Sequence, residues 1–125
     1  MSPRTLTKLT KIAHSTINCC SGNSRHVSFI LRRNKILSIG WNNGRKTSVF
    51  AVKSGYRFGT IHAEVAAIRN YYYPVYTLAK CNMVNIRINR MGELCMAKPC
   101  KICNRILEEF GLKVFFTNEL GDFIQ

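Results

Sequence analysis

Residues 98–114 read KPCKICNRILEEFGLKV, a cysteine pair that leads into a helix and then a strand. Pro99 suits the opening of a helix, because its ring presets φ and its missing N–H has no intrahelical partner there. Ile102, Ile106, Leu107 and Phe110 recur at helical spacing, Gly111 stands just past the helix end, and Lys113 to Thr117 reads as a strand. Cys100 and Cys103, at i and i+3, share one helix face, so both sulfurs can reach a single ion. A helix N-terminus also favours the thiolate, the form that binds zinc.

A second decisive stretch, HAEVAAI, lies at residues 62–68. Thr60 is predicted to cap a helix that starts at Ile61, runs through Val65, Ala66 and Ile68 to Tyr71-Tyr72-Tyr73, and ends at Pro74. His62 then supplies a third zinc ligand beside Cys100 and Cys103. Three protein ligands leave one tetrahedral position open, the arrangement of a catalytic zinc. Water in that position becomes a hydroxide source near neutral pH, and Glu64 is the general base beside it. Residues i and i+2 diverge on a regular helix, so Glu64 is read as a non-ligand, with His62 approaching from the irregular helix end. Each motif alone is common. The ordered pair, H-x-E followed by P-C-x-x-C, is the signature of zinc nucleobase deaminases.

Upstream, Ser2-Pro3 opens a helix carrying Leu6, Leu9, Ile12, Ala13 and Ile17, which stops before the Ser21–Ser24 loop. Val27–Leu31 and Lys35–Gly40 form a hairpin joined by Arg32-Arg33-Asn34, and a polar loop runs from Asn42 to about Gly59. Met83–Ile88 alternates as a strand, Arg90–Glu93 turns, and Asn118–Gly121 leads into the tail, with room for a final edge strand. The order predicts an α/β fold, a mixed sheet with helices packed on its faces, in one domain spanning residues 1–125.

The chain resembles the cytidine deaminase-like superfamily over most of its length. The carriers are ILSIGWN (36–42), HAEVAAI (62–68) and KPCKIC (98–103) with FGLKV (110–114). The resemblance implies a three-layer fold around a five-stranded mixed sheet, and homo-oligomers. It implies that Asn42 binds the substrate sugar and that the Ala63 N–H holds the base carbonyl. Trp41, next to Asn42, is read as a wall of the pocket. A histidine first ligand is similar to the deoxycytidylate, tRNA adenosine and polynucleotide branches. Lys98 stands where several branches carry Ser, Thr or Glu, and the chain runs only eight residues past Thr117. A pocket-lining C-terminal helix is thus expected to be missing or to come from another subunit.

Composition narrows the partners. Residues 1–63 hold 11 Lys/Arg and no acid, within a total charge of +13. That asymmetry predicts a phosphorylated or polyanionic partner, or a basic surface kept for solubility. No apolar run is long enough to span a membrane and no secretory segment is visible, so a cytoplasmic protein is expected, and a disulfide framework for its 6 cysteines is disfavoured. His14 and His26 read as surface or core histidines, and Tyr71–Tyr73 with Tyr76 as packing or a subunit interface. Three functions follow: hydrolytic deamination of cytosine in a free (deoxy)cytidine nucleotide, deamination of a base within single-stranded DNA or RNA, and a non-catalytic zinc-containing nucleic-acid-binding module.

Overall fold

In the computed structural model, residues 2–16, 25–47, 60–118 and 120–125 are described. The Ser21–Ser24 loop, Cys19 and Cys20, and most of the Asn42–Gly59 loop lie outside them. Helix α1 spans Pro3–Ser15, with Ser2 Oγ accepting from Thr5 N as its N-cap. Strands β1 (Arg25–Arg32) and β2 (Lys35–Trp41) form the expected hairpin. Its two loop residues, Arg33 and Asn34, have φ of 56° and 61°, the left-handed pair whose twist matches that of flanking strands. Short strands β3 (Asn43–Thr47) and β4 (Thr60–Ile61) pair antiparallel where a plain loop and a helix start were expected.

Helix α2 covers Ala63–Arg69, ending before the tyrosine run. Asn70 closes it, its side chain donating to the Ile39 carbonyl of β2, and a 3-10 helix at Val75–Lys80 follows. Strand β5 (Asn82–Ile88), a two-residue β6 (Leu94–Cys95), helix α3 (Lys101–Glu109), β7 (Lys113–Thr117) and β8 (Phe123–Ile124) complete the order. The main sheet runs β2-β1-β5-β7-β8, with β6 on β5. Only β5 and β7 are parallel, as their crossover through α3 requires. Five strands therefore form the path expected, and β6 is an addition.

The strand pleat sorts the core into two layers. Val27, Phe29 and Leu31 of β1 join Val84, Ile86 and Ile88 of β5 against Leu9 and Ala13 of α1. On the other face Ile30 and Met83 pack with Ala67 of α2 and Leu107 of α3. Val65, Cys103 and Ile106 join α2 to α3. Gly40 explains how closely α2 lies on β2. A Cβ there would run into the backbone of Ala63, Ala66 and Ala67, and Ser38 Oγ donates to the Ala67 carbonyl at 2.6 Å. Trp41, next along β2, packs with the α1 layer. It therefore faces away from α2, and the pocket-wall role expected for it is corrected.

Candidate active site and metal centre

The N-termini of α2 and α3 meet on one face of the sheet, and each helix is preceded by a ligand-type residue. His62 is the N-cap of α2, with an extended backbone (φ −81°, ψ 154°). It therefore does not share a helical turn with Glu64, which removes the i, i+2 difficulty. Cys100 is the N-cap of α3, and its Sγ accepts from Cys103 N at 3.4 Å. His62 Nδ1 stands 3.9 Å from Cys100 Sγ and 3.6 Å from Cys103 Sγ.

These three ligand atoms all lie within 4.8 Å of one another, and among the described residues they are the group placed to hold a metal ion. Tetrahedral bonds of about 2.3 Å to sulfur and about 2.0 Å to nitrogen demand N···S separations of roughly 3.5 Å. The two N···S distances are close to that value, so the donor set fits a tetrahedral ion. Cys103 is buried, His62 half-buried and Cys100 exposed, so the cluster has a floor and an open side. Burial holds the His62 pKa below its ordinary value, which keeps the ring neutral and able to ligate. None of the described cysteines forms a disulfide, consistent with Cys100 and Cys103 as thiols.

Glu64, at the second position of α2, is 3% exposed. Burial pushes its pKa above the usual carboxylate range. Hydrogen bonds from its own backbone N–H, from Cys103 and from Asn85 pull the other way. Its Oε1 is buried and finds no hydrogen-bond partner among the described residues. Such an atom costs stability unless something polar arrives to meet it. Ala63, fully buried at the first position of α2, has a backbone N–H for which the helix offers no acceptor.

Asn42 lies just past β2. Its Oδ1 accepts from His26 N at 2.9 Å, which ties the strand end to β1. His26 itself is held neutral, its pKa lowered to about 4 by burial, then by the charge of Arg87 and by His62 when that ring is protonated. His62, Glu64, Cys100 and Cys103 are thus brought together, with Ala63 between the first two. Asn42 is tied to His26, whose pKa is in turn lowered by His62 of that cluster. Sequence reasoning missed Ser28 and Asn85, both fully buried on the face that α2 covers. A polar residue inside an apolar alternation was the available signal.

The tyrosines divide. Tyr71 packs into the α2–α3 core with its hydroxyl 2.6 Å from Thr77 Oγ1, whereas Tyr72 and Tyr76 are exposed. No described helix is long and apolar enough to cross a membrane.

A model of the cytidine and deoxycytidylate deaminase zinc-binding region matches residues 3–118. Among solved structures, the chain is similar to a cytidine deaminase from Burkholderia pseudomallei. That match has a TM-score of 0.61 at 18% identity and covers 99% of this chain and 91% of that one. It is also similar to the dCMP deaminase of cyanophage S-TIM5 in complex with dCMP and dUMP (TM-score 0.58, 18% identity, 95% and 85% covered). A guanine deaminase from Bacillus subtilis superposes with a TM-score of 0.53 at 21% identity, covering 95% of this chain and 66% of that one. At such identities the likeness is one of fold. No curated protein sequence matches the chain.

Proposed function

Because the chain belongs to the cytidine and deoxycytidylate deaminase zinc-binding family, and is therefore a zinc-dependent deaminase, we propose that it hydrolyses the exocyclic amine of cytosine in a free (deoxy)cytidine nucleotide. Residues 1–125 act as one catalytic domain, with His62, Cys100 and Cys103 as the zinc ligands and Glu64 as the proton carrier. The observation that carries this reading is the buried Glu64 carboxylate, with an unpartnered Oε1, at the same helix end as a three-donor cluster of tetrahedral spacing. When bound, zinc supplies Lewis acidity that brings the ionisation of water near neutral pH.

The remaining work falls to the chain itself. Glu64 takes a proton from the attacking water at Oε1 and delivers it to the ring nitrogen. It then carries the second proton to the amine, which leaves as ammonia while the ring carbon gains its carbonyl oxygen. The raised pKa of Glu64 suits this traffic, because a carboxyl closer to neutrality both accepts and returns a proton readily. The Ala63 N–H holds the base carbonyl at the positive end of α2, and Asn42 holds the sugar.

A second reading, a base within a nucleic-acid strand, is favoured by charge: the first 63 residues carry 11 cations and no acid. One panel separates the two. Purified protein is incubated with cytidine, deoxycytidine, their monophosphates and short single-stranded oligonucleotides, and ammonia release and base identity are read. Monophosphates should be turned over faster than the matching nucleosides. Efficient reaction of oligonucleotides with none of the monophosphates would reverse the order. In the same assay Glu64→Gln should retain about one zinc per chain while turnover drops by about 100-fold or more. Loss of zinc from that variant would make Glu64 a ligand instead.

A further inference from the structure

We propose that Asn85 is a positioning residue for Glu64, holding one carboxylate oxygen so that Oε1 meets the reacting atoms; this rests on the proton-carrier role given to Glu64 above. Asn85 sits in the middle of β5, the central strand of the sheet, and is fully buried. It is paired with Ser28 of β1, which is paired in turn with Gly40 of β2. Paired residues share a face, so all three lie on the side that α2 covers. Gly40 lets α2 descend onto the sheet at Ala63, in the same cross-strand row as Ser28 and Asn85.

The polar atoms of Asn85 are accounted for one by one. Its Oδ1 accepts from Ser28 Oγ at 2.7 Å, which fixes which way the amide faces. Its Nδ2 lies 3.4 Å from the carbonyl of Ala97, three residues before Cys100. The second N–H reaches the Glu64 carboxylate. One amide thus joins β1, the segment leading to the cysteine pair, and the carboxylate on α2. The neighbours along the same face, Ile30 and Met83, are apolar, and a buried Asn among them costs stability unless it is fully paired. A leucine, branched at the same carbon, would offer apolar contact and none of these hydrogen bonds. It would remove one of the three hydrogen bonds to the carboxylate, the one anchored in the sheet, so that the aim of Oε1 is fixed less tightly.

Steady-state kinetics on deoxycytidine monophosphate, zinc content and side-chain amide NMR test the assignment. Asn85→Leu should lower kcat by about 10- to 100-fold with KM within about twofold and zinc content unchanged. Ser28→Ala, which frees the amide to turn, should lower kcat by a smaller factor. Because Asn85 acts through Glu64, the double variant Glu64→Gln/Asn85→Leu should be no slower than Glu64→Gln. Full kcat in zinc-loaded Asn85→Leu overturns the proposal, and so does an additional loss in the double variant. If Glu64→Gln itself keeps wild-type turnover, the proton-carrier reading fails instead. Should Asn85→Leu not fold, the NMR spectrum decides. The Asn85 amide protons should shift on Glu64→Gln in otherwise intact protein, and unchanged resonances overturn the assignment.

Discussion

At the scale of single residues, the residues proposed as ligands and proton carrier stand out in the sequence because chemistry restricts which side chains can serve. A thiolate pair three residues apart behind Pro99, and a His and a Glu two apart, leave few other uses. What the pattern could not reveal was that His62 and Cys100 cap their helices rather than belong to them, since capping is a backbone conformation. Cys103 anchors the site floor. Cys103→Ala should lose zinc and lower the thermal midpoint, whereas Cys95→Ala, outside the cluster, should keep about one zinc per chain by elemental analysis. His26 gives a pH prediction. Its pKa lies at about 4 in the fold against 6.5 for the free side chain, so the unfolded chain binds a proton first as pH falls. This contribution to stability is intact above pH ~6.5, is lost progressively below it and is gone near pH ~4, at a cost of up to roughly 3 kcal/mol. Denaturant unfolding of wild type and His26→Gln at pH 7, 6 and 5 checks it. The variant should show the shallower pH dependence, and parallel curves would refute the claim.

At the scale of elements, periodicity found α1, the hairpin, β5, α3 and β7 close to their observed bounds, because each buries one face over enough residues to leave a pattern. It failed where length or long-range contacts decide. Helix α2 stops at Arg69 because Asn70 hydrogen-bonds across to β2, a contact with no trace in local sequence. Strands β4, β6 and β8 have two residues each, too few to show alternation. Trp41 was read for the wrong side because Gly40 has no side chain to mark which face β2 turns to α2. That same glycine sets the most demanding contact between elements. Gly40→Ala places a methyl inside the backbone of α2, which has nowhere to retreat without carrying His62 and Glu64 with it. The expected cost is about 3 kcal/mol or more, with zinc affinity reduced in parallel. Urea midpoints and metal titration measure both. A variant as stable as wild type would mean that α2 does not lie this close to β2.

At the scale of the whole molecule, the sheet separates two surfaces that the charge count could not distinguish. The metal cluster and Glu64 lie on the α2–α3 side, while the cations of α1 lie on the other. Arg4, Lys8 and Lys11 line a cleft of about 640 Å³ beside Asn34, and no acidic residue occurs on that helix to neutralise them. A nucleotide in the active site cannot reach them through the sheet. They are therefore available to a polyanion independently of catalysis, and the two activities should come apart under mutation. Binding of a single-stranded oligonucleotide should weaken steeply with salt, because each phosphate neutralised releases counterions, with a log–log slope of about −0.7 per contact. Replacing Arg4, Lys8 and Lys11 by Gln should flatten that slope by roughly 2 if all three contact phosphate. Turnover of deoxycytidine monophosphate should be unchanged in the same variant. Binding isotherms from 50 to 300 mM salt, read beside nucleotide kinetics, give both numbers. If the triple variant instead loses nucleotide turnover, the cations belong to the catalytic side after all. If its salt slope equals that of wild type, the basic character of α1 serves solubility and the polyanion contacts lie elsewhere in the basic first half of the chain.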